Sequence, residues 1–384
     1  MNELPIVDSG SIVPEQAVRQ RYAAAAQAVQ PALCCAVSYD ASLLEVIPPE
    51  VIERDYGCGD PTAYVRPGET VLDLGSGGGK VCFIAAQLVG PQGRVIGVDC
   101  NAEMLALARR NQPIVAERLG YDNVAFRAGM IQDLRLDLDR LAEQLTRSPV
   151  SDRESWLAMR DLERSLRRKQ PLVPDSSVDC VVSNCVLNLV DPADRRAMFD
   201  EVFRVLRPGG RAAISDIVAD EDVPPHLQNN PELWSGCISG AFREDRFLAA
   251  FAEAGFDGLQ IERLDPQPWQ VVEGIEFRSM TVLAYKPAVG ENLDRRQAVI
   301  YRGPFREVTD DAGRSYRRGE RTAVGDLTFA RLGQAPFAGH FEQVEPQGES
   351  SQPPQPFDGR QLRDPRETKG AIVRSNSNGS CCGD

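Results

Sequence analysis

Three cysteines that lie far apart in the chain share small or polar neighbours. Cys58 stands in YGCG, Cys185 in SNCV and Cys237 in SGCI. Thiolates are soft ligands that prefer soft centres, so three converging thiols would hold a thiophilic substrate or ion. A lone cysteine is more often a small buried hydrophobe, and packing in a core is the alternative for each of the three.

The spacing and surroundings of the other cysteines argue against a zinc knuckle, a thioredoxin-like site and a disulfide framework. The chain has ten cysteines and two histidines, and no two cysteines have the C-x-x-C spacing of a zinc knuckle or a thioredoxin-like site. Cys82 and Cys180 stand inside apolar runs, and Cys100 follows an acid at a predicted strand end, which favours structural roles for all three. A chain expected to be cytoplasmic should carry thiols rather than a disulfide framework.

A glycine-rich segment, VLDLGSGGGK, ends at Lys80 between a predicted strand and a predicted helix. A P-loop needs Ser or Thr after the lysine, where Val81 stands. A dinucleotide G-x-G-x-x-G would need glycine at the position of Lys80. An ordinary tight turn is a further alternative, but the surrounding acids favour a binding loop for S-adenosylmethionine.

The residues that predict this donor site follow the ends of the first three predicted strands. An acid at the first strand end can engage the donor's ammonium group, and two glycines clear space for its methionine part. An acid at the second strand end is placed to bind a ribose diol. Apolar residues further on can pack against or border the adenine. These residues are, in order, Asp73, Gly75, Gly77, Asp99, Met104, Met130 and Ile131.

The order of the elements predicts an α/β protein with a parallel sheet. Short apolar runs alternate with helical patterns through residues 70–286, after a helical lead-in over residues 1–69. Two helical patterns interrupt this alternation at 134–175, which predicts an insertion. Residues 287–346 predict a small β-rich appendix, and the Pro-, Gln- and Ser-rich residues 347–384 predict a disordered tail.

Charge and hydropathy exclude several classes of protein. The formal net charge of -13 argues against nucleic-acid binding, which needs a basic surface. No apolar run approaches the length of a membrane span. The first residues, MNELPIVDSG, lack the pattern of a secretory signal. We therefore expect a cytoplasmic protein with no membrane partner.

Five segments carry a resemblance to a known family. They are YGCG, VLDLGSGGGKVCFIAA, VDCVVSNCVLNLV, FRVLRPGGRAAISDIVAD and PELWSGCISGAF. Together they resemble the arsenite methyltransferase family, and the resemblance spans residues 15–290. It implies a class I (Rossmann-like) methyltransferase fold with a mostly parallel sheet. The long insertion resembles the subgroup associated with arsenosugar biosynthesis.

The resemblance also implies roles for individual cysteines. Cys58, Cys185 and Cys237 match the arsenic(III)-binding cysteines of the family. The family's further N-terminal cysteine falls on Cys34 or Cys35, with Cys34 favoured, and is expected to form a transient disulfide with Cys58. The substrates implied are arsenite and methylated arsenicals, with glutathione or thioredoxin as the thiol reductant and arsenic detoxification or arsenosugar biosynthesis as the role.

Three other functions stay open on the sequence. The first is methylation of a small organic acceptor, which would leave the three cysteines dispensable. The second is non-enzymatic metalloid binding, which would leave the donor site without a purpose. The third is a zinc site, for which only three cysteines are well placed. The terminal Cys381 and Cys382 could capture arsenic, relay electrons or be inert.

Overall fold

The computed structural model describes residues 14–30, 37, 39–347 and 353–369. Within the chain, two compact units are separated at the boundary between Lys286 and Pro287. The positions of Cys34, Cys35, Cys381 and Cys382 lie outside the described residues, so the structure does not bear on the predictions made for them.

The first unit is built on one large sheet. Its strands are β1 (Thr70–Leu74), β2 (Arg94–Asp99), β3 (Val124–Ala128), β4 (Val178–Asn184), β5 (Leu206–Ala219), β6 (Phe242–Arg243), β7 (Asp257–Leu264), β8 (Gln270–Val272) and β9 (Ile275–Tyr285). The strand order along the sheet is β3-β2-β1-β4-β5-β9-β7. The first five of these strands are parallel, whereas β9 is antiparallel to both β5 and β7. The predicted α/β fold with a mostly parallel sheet is confirmed.

Helices cover both faces of this sheet. The helices of this unit are α1 (Pro14–Ala25), α2 (Ala41–Leu44), α3 (Pro49–Glu53), α4 (Lys80–Val89), α5 (Ala102–Leu119), α6 (Leu138–Arg147), α7 (Arg153–Lys169), α8 (Arg195–Val205), α9 (Pro225–Gln228), α10 (Pro231–Ser235) and α11 (Glu244–Glu253). Those that pack on the strands are α4, α5, α6, α8 and α11. Because the central strands are buried on both faces, they read as continuous apolar runs. In β4, Cys180, Val181 and Val182 are fully buried between two apolar clusters.

The predicted insertion contains α6 and α7, which pack against each other through Leu141 and Leu166. Each helix begins at an aspartate that caps it. Asp137 accepts a hydrogen bond from the Arg140 amide, and Asp152 accepts one from the Ser155 amide. Such caps satisfy amides that have no partner inside the helix.

The strand order places a binding crevice between β1 and β4. From β1 the chain moves outward to β2 and β3, and it then returns to form β4 on the other side of β1. In open α/β sheets, ligands bind where the order reverses, at the carboxyl ends of the strands. The segments after β1 and β4 are the glycine-rich loop and Cys185.

The second unit contains β10 (Leu293–Asp294), β11 (Ala298–Tyr301), β12 (Glu307–Thr309), β13 (Ser315–Arg317), β14 (Arg321–Ala323), α12 (Asp326–Leu332), β15 (Phe341–Val344), β16 (Gln355–Pro356) and α13 (Pro365–Thr368). A three-stranded antiparallel sheet, β14-β11-β15, packs over an apolar cluster that includes Val299, Tyr316 and Phe341. No helix among the described residues has the length and apolar content needed to cross a membrane.

The prediction of a disordered tail is wrong for residues 353–369. There β16 pairs with β10, and the Arg363 side chain, 1% exposed, lies 2.6 Å from the Asp294 carboxylate. Arg363 also lies 3.3 Å from Glu367 in α13. Composition alone predicted disorder, but the Arg363–Asp294 ion pair and the pairing of β16 with β10 tie the segment to its own unit.

Candidate active site

The glycine-rich loop leaves β1 with a left-handed backbone. Gly75 has φ 68° and Gly77 has φ 50°, backbone angles that residues other than glycine rarely adopt. A Cβ at Gly75 would lie 2.4 Å from Cγ1 of Val186, so glycine lets the end of β4 approach the loop. A Cβ at Gly77 would meet no described atom within 4 Å, which leaves the backbone there open to the adjoining cavity.

The cavity beside this loop is lined by three acids, Asp55, Asp73 and Asp99, and by two arginines, Arg19 and Arg54. Asp99 accepts hydrogen bonds from the amides of Gly77 and Asn101, both at 2.8 Å. Asp73 accepts one from the Cys82 thiol at 3.1 Å. Burial raises the pKa of Asp73 to about 8, with repulsion from Asp55 and Asp99 adding to it, and burial also raises the pKa of Asp99. A cationic ligand beside these carboxylates would lower both pKa values, because it favours the ionised forms.

All seven predicted donor-binding residues line the same cavity. Its wall includes Asp73, Gly75, Gly77, Asp99, Met104, Met130 and Ile131. Ser76 also lines it, and its buried hydroxyl has no hydrogen-bond partner among the described residues. The buried acids Asp73 and Asp99, an orphaned hydroxyl and an open backbone fit S-adenosylmethionine, which carries a sulfonium, an ammonium and several hydrogen-bonding groups.

Cys58, Cys185 and Cys237 lie together in an apolar cluster next to this cavity. Cys58, Cys185 and Cys237 belong to one apolar cluster with Ile217 and Phe277, and each of the three is at most 5% exposed. The Cys237 thiol donates to the Cys185 carbonyl at 3.3 Å. Cys58 and Cys185 are joined as a disulfide. The expected convergence is present, but the expectation of three thiols without a disulfide is wrong for this pair, which must be reduced before it can bind an ion.

Cys185 is the link between the two sites. It lies directly after β4, and it lines the donor cavity as well as belonging to the apolar cluster. Cys185 has φ 59° and Cys237 has φ 63°, which are uncommon for residues other than glycine. Strained backbone of this kind concentrates at functional sites, where the surrounding structure maintains it.

Comparison with known proteins identifies the family. A model described as a methyltransferase domain matches residues 66–144 and 161–255, and one described as a domain of unknown function matches residues 288–373. The arsenite methyltransferase of Halobacterium salinarum is 35% identical over 318 residues, covering 75% of this chain and 70% of the relative. That of Aquipseudomonas alcaligenes is 32% identical, covering 78% and 80%. The chain belongs to the arsenite methyltransferase family.

A solved structure agrees with this assignment. The arsenic(III) S-adenosylmethionine methyltransferase from Chlamydomonas reinhardtii superposes with a TM-score of 0.54 and 27% identity, covering 82% of this chain and 96% of that one. The predicted family, the class I methyltransferase fold and the enzyme class are confirmed. The chain is an S-adenosylmethionine-dependent methyltransferase.

In this methyltransferase, Asn184 fastens the segment that carries Cys58 to the end of β4. Its side-chain oxygen accepts from the amides of Cys58, at 2.8 Å, and Gly59, at 3.0 Å, and its nitrogen donates to the Gly59 carbonyl at 2.6 Å. A Cβ at Gly57 would lie 2.1 Å from the Asn184 nitrogen, so the glycine permits this contact. The pattern SNCV predicted a role for its cysteine and none for Asn184.

Asp216 was also missed. Its fully buried carboxylate accepts from the amides of Leu187, Asn188 and Ile217 and from the Asn188 side chain. It also lies beside two of the cysteines, because a carboxylate oxygen and the sulfurs of Cys185 and Cys237 all lie within 4.8 Å of one another. An acid inside the apolar run AAISDIVA was the available signal.

The cysteines predicted to be structural occupy different settings. Cys180 is fully buried in β4, and burial raises the pKa of its thiol to about 12. Cys82 is fully buried in α4, where burial and the neighbouring Asp73 raise the pKa of its thiol well above the ordinary value. Cys100 is exposed and lines the donor cavity. None of the three belongs to the apolar cluster around Cys58.

Proposed function

We propose that this enzyme transfers methyl groups from S-adenosylmethionine to trivalent arsenic held by the thiolates of Cys58, Cys185 and Cys237. The observation that carries the proposal is the position of Cys185, which borders the donor cavity and also meets the other two cysteines in a buried apolar cluster. Thiolates suit a soft trivalent centre, and the named relatives are arsenite methyltransferases.

Metalloid binding requires reduced cysteines. The Cys58–Cys185 disulfide is opened by a thiol reductant, glutathione or thioredoxin, which leaves as its own disulfide. Three thiols then replace the three hydroxides of arsenite, and each hydroxide leaves as water with a thiol proton. The arsenic keeps its lone pair, which is the nucleophile for the methyl group.

The donor cavity would hold S-adenosylmethionine in place through acidic, apolar and glycine residues. Asp73 would bind the donor's ammonium, Asp99 its ribose, and Met104, Met130 and Ile131 its adenine, while Gly75 and Gly77 leave room for the methionine part. When bound, S-adenosylmethionine supplies an electrophilic methyl group. No general base is required, because no proton leaves arsenic. The rate then depends mainly on holding nucleophile and methyl group in line.

The cysteines can also supply the electrons for repeated methylation. Methylation takes arsenic from the trivalent to the pentavalent level. Two electrons return to arsenic when a bound cysteine sulfur leaves as part of a disulfide, either with a free thiolate that attacks it or with a second bound sulfur. We propose Cys34 with Cys58 as this redox pair, and the Cys58–Cys185 disulfide supports a second pairing at the same site. A thiol reductant restores either pair, so methylated and dimethylated arsenicals can form in succession.

The biological role proposed for this chemistry is arsenic detoxification or arsenosugar biosynthesis. The experiment that tests the function is incubation with arsenite, S-adenosylmethionine and glutathione, followed by chromatographic separation of the arsenic species. We expect methylated arsenicals that depend on all three reagents. Absence of methylated arsenic, with methyl transfer to an organic acceptor instead, would support the rival function and contradict this one.

Redox pairing has its own test. Enzyme that completes one turnover without reductant is alkylated, digested and mapped by mass spectrometry. We expect a disulfide that contains Cys58, and its partner identifies the redox pair. Finding every cysteine alkylated after methylarsenic has formed would contradict the proposed electron source.

A further inference from the structure

We propose that the buried carboxylate of Asp216 offsets the positive charge that arsenic acquires when it takes up the methyl group. The proposal rests on the proposed function, because it takes Cys58, Cys185 and Cys237 to be the arsenic ligands. It adds a residue from β5 that contributes no ligand to trivalent arsenic and acts through its charge.

Asp216 lies beside two of the proposed arsenic ligands. Its carboxylate oxygen and the sulfurs of Cys185 and Cys237 lie within 4.8 Å of one another, and all three residues are buried. An arsenic atom bound to those two sulfurs would therefore lie close to the carboxylate. The surrounding cluster, which includes Ile217, Phe277 and Ile238, is apolar. In such surroundings a fixed charge acts more strongly than it would in water.

The contacts of Asp216 favour a charged carboxylate. Its carboxyl accepts four N–H hydrogen bonds, from the amides of Leu187, Asn188 and Ile217 and from the Asn188 side chain, and such hydrogen bonds favour the ionised form. The four N–H groups that it accepts from belong to amides, not to a cationic side chain. The nearby cation Arg195 donates to the Gly240 carbonyl at 2.7 Å. Tyr22 also interacts with Asp216 and Cys237, and burial raises the pKa of its phenol, which keeps it neutral.

The chemistry of transfer creates the need for this charge. The arsenic lone pair forms the bond to the methyl carbon while the carbon–sulfur bond breaks with its electrons left on sulfur. The positive charge therefore passes from the donor, beside the acids Asp73 and Asp99, to arsenic inside the apolar cluster. A preorganised anion at the point where charge develops lowers the barrier. Asp216 is the acid at that point, since its oxygen lies beside the sulfurs of two proposed ligands.

The first test measures the charge at the thiols without any turnover. Reduced enzyme is treated with iodoacetate, an anion, or with iodoacetamide, a neutral reagent of similar size, and modification of Cys237 is followed by mass spectrometry. In Asp216→Asn we expect the ratio of iodoacetate to iodoacetamide rates to rise about fivefold, because a repelling charge is gone. An altered local structure would change both rates together, and an unchanged ratio would overturn the proposal.

The second test separates binding from transfer. In Asp216→Asn we expect the single-turnover methylation rate to fall about 100-fold, while the dissociation constant for arsenite changes less than about threefold. The matched control is Asp220→Asn, the same substitution at an exposed acid just beyond β5, which should match wild type in both tests. An undiminished rate, or a loss of arsenite affinity as large as the loss of rate, would overturn the proposal.

A second variant guards against misfolding. Asp216→Ser offers a neutral oxygen to the same amides, and it should show the same rise in alkylation ratio and the same loss of rate. Failure of the underlying function gives a different pattern, in which wild-type enzyme forms no methylated arsenic although the alkylation ratio still responds to Asp216. Methylation by wild type together with full-rate methylation by both variants would overturn the role of Asp216 alone.

Discussion

The donor cavity and the thiol cluster meet at Cys185 but are built in different ways. The predicted donor-binding residues of this cavity lie mostly in segments that directly follow β1, β2 and β3, and they include the acids Asp73 and Asp99. The thiol side joins residues as distant as Cys58 and Cys185, 127 positions apart, inside an apolar cluster. One side therefore suits a cationic donor and the other a soft, neutral acceptor. Changes on either side should affect one reactant and spare the other.

The largest effect should come from the residue that the two sides share. Cys185→Ser removes one of three proposed arsenic ligands at the point nearest the donor, and we expect methylation to fall at least about 100-fold. Donor affinity, measured by calorimetry, should change little. The control is Cys180→Ala within β4, the strand that ends just before Cys185, and it should retain arsenic methylation. Equal activity of Cys185→Ser and wild type would contradict the thiol site.

On the donor side, Asp73→Asn should raise the KM for S-adenosylmethionine about 30-fold, because a hydrogen bond to a charged group is lost. Arsenite affinity should stay unchanged, since Asp73 does not belong to the thiol cluster. Steady-state kinetics with each reactant varied in turn would measure both quantities. An equal rise in the KM for arsenite would contradict the prediction that Asp73 affects donor binding alone.

A smaller effect is expected on the thiol side from Asn184→Ala. The substitution leaves the amides of Cys58 and Gly59 without their acceptor, so the segment that carries Cys58 should loosen. We expect the arsenite KM to rise about tenfold while donor binding is kept. Fluorescence titration with arsenite and calorimetry with the donor would separate the two. A larger loss of donor affinity than of arsenite affinity would count against this assignment.

The smallest effect concerns pH on the donor side. Because the pKa of Asp73 is raised to about 8 in the donor-free enzyme, its carboxyl gains a proton as pH falls through that value. The protonated form attracts a cation less, so donor affinity should weaken about fivefold between pH 8 and pH 7. The dependence should be much reduced in Asp73→Asn. A wild-type affinity that is flat over this range would show that Asp73 is already ionised.

The two sides also differed in how far the sequence predicted them. The donor side was predictable because Asp73, Gly75 and Asp99 follow strand ends in a local pattern, and parallel strands bring those ends to one edge. The convergence of the cysteines was predicted through the family resemblance rather than from spacing. The Cys58–Cys185 disulfide was not predicted, since it depends on how separate segments fold together.

The contacts that hold the thiol side together could not be predicted from the sequence. Asn184 acts on residues more than a hundred positions away, so it has no local signature. Asp216 is visible in the sequence as an acid inside an apolar run, but its contacts with the turn after Cys185 are not. The same reason explains the error in the second unit. Composition treated residues 353–369 as a polar tail, whereas Arg363 forms a buried ion pair with Asp294.

The most direct test of the central claim is the X-ray absorption spectrum of arsenic bound to the reduced enzyme. We predict that arsenite bound to wild type has three sulfur atoms and no oxygen in its first coordination shell. In Cys58→Ser, Cys185→Ser or Cys237→Ser the shell should contain at most two protein sulfurs. Arsenic that keeps its oxygen ligands in wild type, or a three-sulfur shell in all three variants, would contradict the claim.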